Sequence, residues 1–189
     1  MSRPLFAVQL ESLQSCLAML DVETLQEKLD RTIEKLGSAL AAGKPILVCG
    51  NGGSAADAQH IAGELVGKFL KERRALNVRA LSTDTSVITA WANDVAYETV
   101  FSRQVEAYGQ VGGVLWAIST SGNSGNVLAA ASKARELQMS VLALTGDGGG
   151  KLASLSDILL DVPSKLTPRV QEMHIVLYHY LCERIEARF

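Results

Sequence analysis

Cysteine is scarce in this sequence: three residues in 189, Cys16, Cys49 and Cys182, with no CxxC pair among them. That spacing argues against a disulfide framework and a cysteine zinc site, and leaves reduced thiols as the expectation. An excess of charge of one sign is also missing. The 18 basic residues face 20 acidic ones, so no overall field draws the chain to nucleic acid or an anionic membrane, and any phosphate site has to be built locally. No stretch approaches the roughly 20 apolar residues that span a bilayer. The N-terminal segment, with Arg3 and Pro4 soon followed by Glu11 and Asp21, has neither an uninterrupted apolar core nor a small-residue cleavage site, and a cytoplasmic location is expected. Neither GxGxxG nor GxxxxGKS/T occurs, which disfavours nicotinamide cofactors and nucleoside triphosphates.

What is present suffices for one α/β domain with a large core, since 48% of the residues are hydrophobic. From about residue 5 to residue 42, Leu10, Leu13, Leu17 and Leu20, then Leu25, Leu29, Ile33, Leu36 and Leu40, recur at helical spacing. The pattern predicts two helices broken near Asp21, a pair long enough to pack against another subunit. From Lys44 onwards short apolar runs at 45–49, 79–81, 114–118, 141–144 and 158–162 read as buried parallel strands. Helical stretches at 55–69, 84–94, 97–108 and 125–138 and a short one at 150–154 lie between them, and a last helix covers about 168–188 with Pro168 in its first turn. Strand alternating with helix predicts a doubly wound, mostly parallel five-stranded sheet flanked by helices, of flavodoxin-like type. Residues 1–189 are expected to form a single domain, with 1–42 serving oligomerisation and 43–189 forming the α/β sandwich.

Two strands run into loops of one character. Cys49 leads into Gly50, Asn51, Gly52, Gly53 and Ser54, and Ile118 into Ser119, Thr120, Ser121, Gly122, Asn123 and Ser124. Glycines admit a ligand close to the backbone, hydroxyls donate hydrogen bonds, and the helix that follows offers free N–H groups and partial positive charge, a combination suited to a phosphate dianion. One such loop is equally well a tight turn with a cap. Two together favour a phosphorylated metabolite. A third glycine-rich exit, 145–150, carries Asp147, which would repel phosphate, and reads as a turn.

His60 and Glu64 are four apart on the helix after the first loop and share one face. Gln171 and His179 are eight apart on the last helix, about 80° around its axis and roughly 12 Å along it. By residue type the four could hold zinc. By spacing alone a Glu64–Lys68 helix pair, a surface His60 and a solvated Gln171 explain them equally well, and His174 reads as structural. Asn93 and Asp94 close a helix, either as a stop signal or as a contact to sugar hydroxyls.

The segments CGNGGSAADAQHIAGEL (49–65), LSTDTS (81–86), AND (92–94), FSRQVEA (101–107), STSGNS (119–124), LTG (144–146) and PRVQEMH (168–174), with His179, resemble the sugar isomerase (SIS) domain family over nearly the whole chain, and within it the bacterial phosphoheptose isomerases. The resemblance implies an aldose–ketose isomerisation between sedoheptulose 7-phosphate and D-glycero-D-manno-heptose 7-phosphate, at the head of ADP-heptose synthesis for lipopolysaccharide core or other heptose-containing glycans. It places Asn51, Gly52, Gly53, Ser54, Ser119, Thr120, Ser121 and Ser124 at the substrate and its phosphate, and Asn93 and Asp94 at the sugar chain. Glu64 and His179 become the catalytic pair. His60, Glu64, Gln171 and His179 line a centre that holds one zinc per subunit in some members, with Glu64 and Gln171 also touching substrate. Four identical subunits with active sites between neighbouring chains are implied as well. Pro168 stands where some members carry an aspartate. A related non-catalytic protein that associates with the DnaA initiator lacks counterparts of Glu64 and His179, both present here, and an isomerase of another sugar phosphate is the other alternative.

Overall fold

The computed structural model describes residues 5–189; Arg3 and Pro4, named above, lie outside the described residues. Helices α1 (Leu5–Ala18) and α2 (Val22–Ala41) are separated where expected, because Asp21 caps α2 by accepting from the amide of Thr24 at 3.2 Å. The sheet follows as β1 (Ile46–Cys49), β2 (Val78–Ala80), β3 (Val114–Ser119), β4 (Ser140–Thr145) and β5 (Ile158–Asp161). All pairings are parallel, in the order β2-β1-β3-β4-β5. That order is the flavodoxin-like one, and a chain that winds first to one side of β1 and then to the other opens a crevice at the carboxyl ends of β1 and β3.

Strands β1 and β3 are buried on both faces, which is why they read as continuous apolar runs. Alternate residues feed two cores. Ile46, Val48, Trp116 and Ile118 face α2, α3 (Gly53–Val66) and α7 (Thr167–Glu186), while Leu47, Cys49, Leu115 and Ala117 face α5 (Val100–Tyr108) and α6 (Gly125–Glu136). On α6, Ala130, Ala131 and Ala134 are fully buried, and these small side chains let the helix lie close to its neighbours. Helix α4 (Thr85–Asp94) is capped by Asp84, which accepts from Val87 N at 3.0 Å.

Two expected helices are shorter than their patterns. The 97–108 stretch divides into a single 3₁₀ turn (Tyr97–Thr99) and α5; the Thr99 hydroxyl bonds the Ala96 carbonyl and receives the Trp91 indole N–H at 2.8 Å, holding the chain in a tighter turn. The 55–69 stretch ends at Val66, because residues 69–71 turn their amides to a carboxylate of α7 instead of continuing the helix. All three cysteines are buried free thiols, and burial pushes Cys49 and Cys182 up to about 12. Cys49 is thus a buried residue of β1. Among the described residues no single helix is long and apolar enough to cross a membrane.

Candidate active site

The two glycine- and serine-rich loops leave β1 and β3 side by side, at the crevice that the strand order creates. Gly52 takes φ +53°, a backbone conformation that a side chain would strain, and turns the chain into α3. Neither Gly52 nor Ser124 caps its helix with a side-chain bond. At the start of α3 the amides of Ser54 and Ala55 turn back to the carbonyls of Asn51 and Gly52 at 2.9 and 3.0 Å, whereas the amides of α6 ahead of Leu128, which bonds the Ser124 carbonyl, have no turn before them to bond and suit an anion. Ser119 and Ser124 hydroxyls lie 3.0 Å apart, and Ser121 Oγ accepts from the amide of Asn123. Ser54 and Ser119 are buried, whereas Thr120 and Ser124 are partly open and Gly52, Gly53 and Ser121 exposed.

The loops are bolted together. Asn51 and Asn126 exchange two amide bonds of 2.8 Å each, and the Tyr97 hydroxyl donates to Asn51 Oδ1 at 3.0 Å. The third glycine-rich exit behaves as a turn that buttresses the second loop: Gly146 N donates to Thr120 O and Leu152 N to Gly122 O. A Cβ on Gly122 would overlap the Gly149 carbonyl, so only glycine lets the two segments meet.

Helices α3 and α7 lie beside each other and run the same way. Gln171 meets Gly53, Tyr178 meets Asp57 and His60, and Glu186 meets the residues after α3. This pairing brings into contact three of the four residues expected to line the centre. His60 Nε2 lies 3.0 Å from Glu64 Oε1 and 3.4 Å from His179 Nε2, and one ligand atom from each of the three falls within 4.8 Å of the others. Glu64 thus pairs with His60, and among the described residues no ion pair joins it to Lys68. Phe69 stacks on His179 with ring centroids 5.6 Å apart. Gln171 stands two turns earlier on α7, its carboxamide so close over the start of α3 that a Cβ on Gly53 would overlap it. Asn93 and Asp94 are exposed at the end of α4, bonded to each other at 2.7 Å. His174 is away from the site, buried, with its Nε2–H donating to the Thr145 carbonyl.

Two nitrogen lone pairs and a carboxylate converging on one point are mutually repulsive unless a proton or a cation lies among them. The donor set therefore fits a divalent metal of zinc type, two imidazoles and one carboxylate being a common ligand group. Tyr178 and Asp57 complete the surroundings. Burial raises the Asp57 carboxyl to about 6, against the Tyr178 hydrogen bond and the nearby His60, which lower it. Asn126, Tyr97, Tyr178 and Phe69 carried no motif in the sequence, and Asp57, though inside the 49–65 segment, was given no role there. Their partners lie from 46 to more than 100 positions away, and only Asp57 had a visible clue, sitting three before His60 on the same helix face.

An open α/β sheet whose switch point presents two phosphate-type loops, with a carboxylate and two histidines further along the helix that one loop launches, defines a sugar-phosphate isomerase class of site. A SIS domain model matches residues 11–146. The phosphoheptose isomerase of Helicobacter pylori is 55% identical over 168 residues, covering 89% of this chain and 88% of that protein, and that of Rhodospirillum rubrum is 54% identical over 149 residues, covering 79% of each. The solved phosphoheptose isomerase of Neisseria gonorrhoeae superposes with a TM-score of 0.84 at 44% identity, covering 96% of this chain and 95% of that one. The chain belongs to the SIS domain family, in its phosphoheptose isomerase branch.

Proposed function

We propose that this protein isomerises sedoheptulose 7-phosphate to D-glycero-D-manno-heptose 7-phosphate, in the cytoplasm, as the first step towards ADP-heptose for lipopolysaccharide core or a similar glycan. The observation that carries this reading is the meeting of Glu64 with His60 and His179 along the helix that starts in a phosphate-type loop. The phosphate is held by the N-termini of α3 and α6 with Ser54, Ser119, Thr120, Ser121 and Ser124, and by the backbone of Asn51, Gly52 and Gly53. Asn51 is already engaged with Asn126, so its side chain shapes the loop and its backbone serves the ligand. Gln171 and, at the rim, Asn93 and Asp94 meet the sugar chain.

Glu64 moves a proton between C1 and C2 through a cis-enediol, and His179 serves the carbonyl oxygen. Remote binding of the phosphate provides the energy that positions the reacting carbons. His60, Glu64 and His179 would hold one zinc per subunit; Gln171, to be the fourth donor, would have to turn from Gly53 towards His179. A bound zinc would polarise the sugar oxygens as a Lewis acid. The N-terminal helices support assembly into a homotetramer with active sites between chains, since α1 exposes Leu5 (85%), Phe6 (72%), Val8 and Leu10.

The test is turnover of sedoheptulose 7-phosphate by purified protein, with product stereochemistry. The Glu64→Gln variant is expected to keep its fold and assembly and to lose activity by at least about 1,000-fold, within what a positioned base contributes. Normal turnover by that variant would remove Glu64 as the base, and no turnover by the native protein would overturn the function.

A further inference from the structure

His60 has more neighbours than a surface histidine needs. While its Nε2 faces Glu64 and His179, its Nδ1 lies 3.0 Å from the hydroxyl of Tyr178. That hydroxyl is on a side chain only 1% exposed, and its other neighbour is Asp57 Oδ1 at 3.5 Å. Asp57 is buried too, and its Oδ2 has no hydrogen-bond partner among the described residues. The order of donors along this chain follows from counting protons. Tyr178 has one hydroxyl proton, and the acceptor most in need of it is the buried carboxylate, for which charge-assisted bonds are the stronger kind. With that proton turned to Asp57, the Tyr178 oxygen is left to accept, and His60 can satisfy it only with a proton on Nδ1. The Nε2 lone pair then points at Glu64 and His179.

The competing tautomer, protonated on Nε2, would donate directly to Glu64 and close the site with an ordinary His–Glu bond. Nothing on α3 alone prevents this, because His60 and Glu64 sit at i and i+4, where such a bond forms readily. The opposing influence comes from α7. We propose that Asp57 and Tyr178 form a positioning chain that holds His60 with its proton on Nδ1 and its Nε2 lone pair open towards Glu64 and His179, ready for a divalent cation. The cation in this inference rests on the metal centre of the function proposed above. Histidine ligands generally donate their second ring N–H to an oxygen that fixes the tautomer, and the loss of such partners typically weakens metal binding by roughly 10- to 100-fold.

Two readouts on the full-length protein test the chain, one of them independent of metal. In chelator-treated protein at pH 8, long-range ¹⁵N–¹H spectra report which nitrogen of His60 carries the proton. Zinc affinity is then read by competition with a chromophoric chelator. The native protein is expected to show His60 protonated on Nδ1. Tyr178→Phe should shift the population towards Nε2–H and weaken zinc by roughly 10- to 100-fold; Asp57→Asn should move both readouts the same way by less. Tyr180→Phe, one residue beyond His179 with its hydroxyl on Gln26, should move neither. Should Tyr178→Phe fail to fold, Asp57→Asn decides the matter alone. Unchanged His60 signals and unchanged zinc affinity in the folded variants would overturn the chain while leaving the metal centre standing. A native protein that keeps the Nδ1 proton, loses it in Tyr178→Phe and yet binds no zinc would sustain the chain and remove the metal from the proposed function.

Discussion

His174 shares α7 with His179 and behaves in the opposite way. It is fully buried, its Nε2–H donates to the Thr145 carbonyl at 3.1 Å, and its Nδ1 has no partner among the described residues. Burial drives its pKa down to about 4, against the backbone bond, which raises it. The folded ring is therefore neutral where the unfolded ring, near its ordinary 6.5, begins to take up a proton. Between those values the unfolded state binds more protons, so the stability this residue contributes is complete above about pH 6.5 and is lost as pH falls towards 4, by at most about 3 kcal/mol. Urea unfolding at pH 7.5 and pH 4.5 checks this. His174→Gln should be less stable than the native protein at pH 7.5 and should show a smaller fall between the two.

At the scale of elements, the end of α3 is tied to the end of α7 by a buried ion pair. Glu186 accepts from the amides of Phe69, Leu70 and Lys71 at 2.6–2.9 Å and lies 3.4 Å from Arg73, both side chains 2% exposed. Arg73 in turn donates at 2.6 Å to the carbonyls of Glu64 and Gly67. The clasp fixes the turn that carries Glu64 and sets Phe69 against His179. Glu186→Leu leaves Arg73 buried without its partner, and breaking such pairs costs about 3–5 kcal/mol. Denaturant unfolding should show a loss of that order, with faster proteolysis after Gly67. None of this clasp was legible in the sequence, because Arg73 and Glu186 lie far apart and carry no motif. The strands, the break at Asp21 and the two phosphate-type loops were legible, since each depends on neighbours a few positions away: alternation of buried runs, an N-capping aspartate, a glycine where φ is positive. The convergence of His60, Glu64 and His179 stood between these cases. Spacing placed the first two on one face, but the parallel course of α3 and α7 brought in the third.

For the whole molecule, the surface points to further burial. Leu5, Phe6, Val8, Leu10 and Leu17 are exposed along α1, and Ile175 and Val176 along α7. With the homotetramer proposed above, Phe6→Asp combined with Leu10→Asp should shift sedimentation from four copies towards smaller species and lower activity in parallel, since the sites would lie between chains. An unchanged sedimentation profile would place the contact elsewhere.

In the function proposed above, helix α3 links the anion's seat to the proton-moving carboxylate by a body that cannot stretch. From Gly53 to His60 and Glu64 is seven and eleven residues, roughly 10 and 16 Å along its axis before the backward lean of the side chains is subtracted. The helix is in effect a gauge. With those roles, a sugar anchored by its phosphate must have enough carbons to bring its far end to the carboxylate, and short phosphosugars would be screened out by reach before any hydroxyl is inspected.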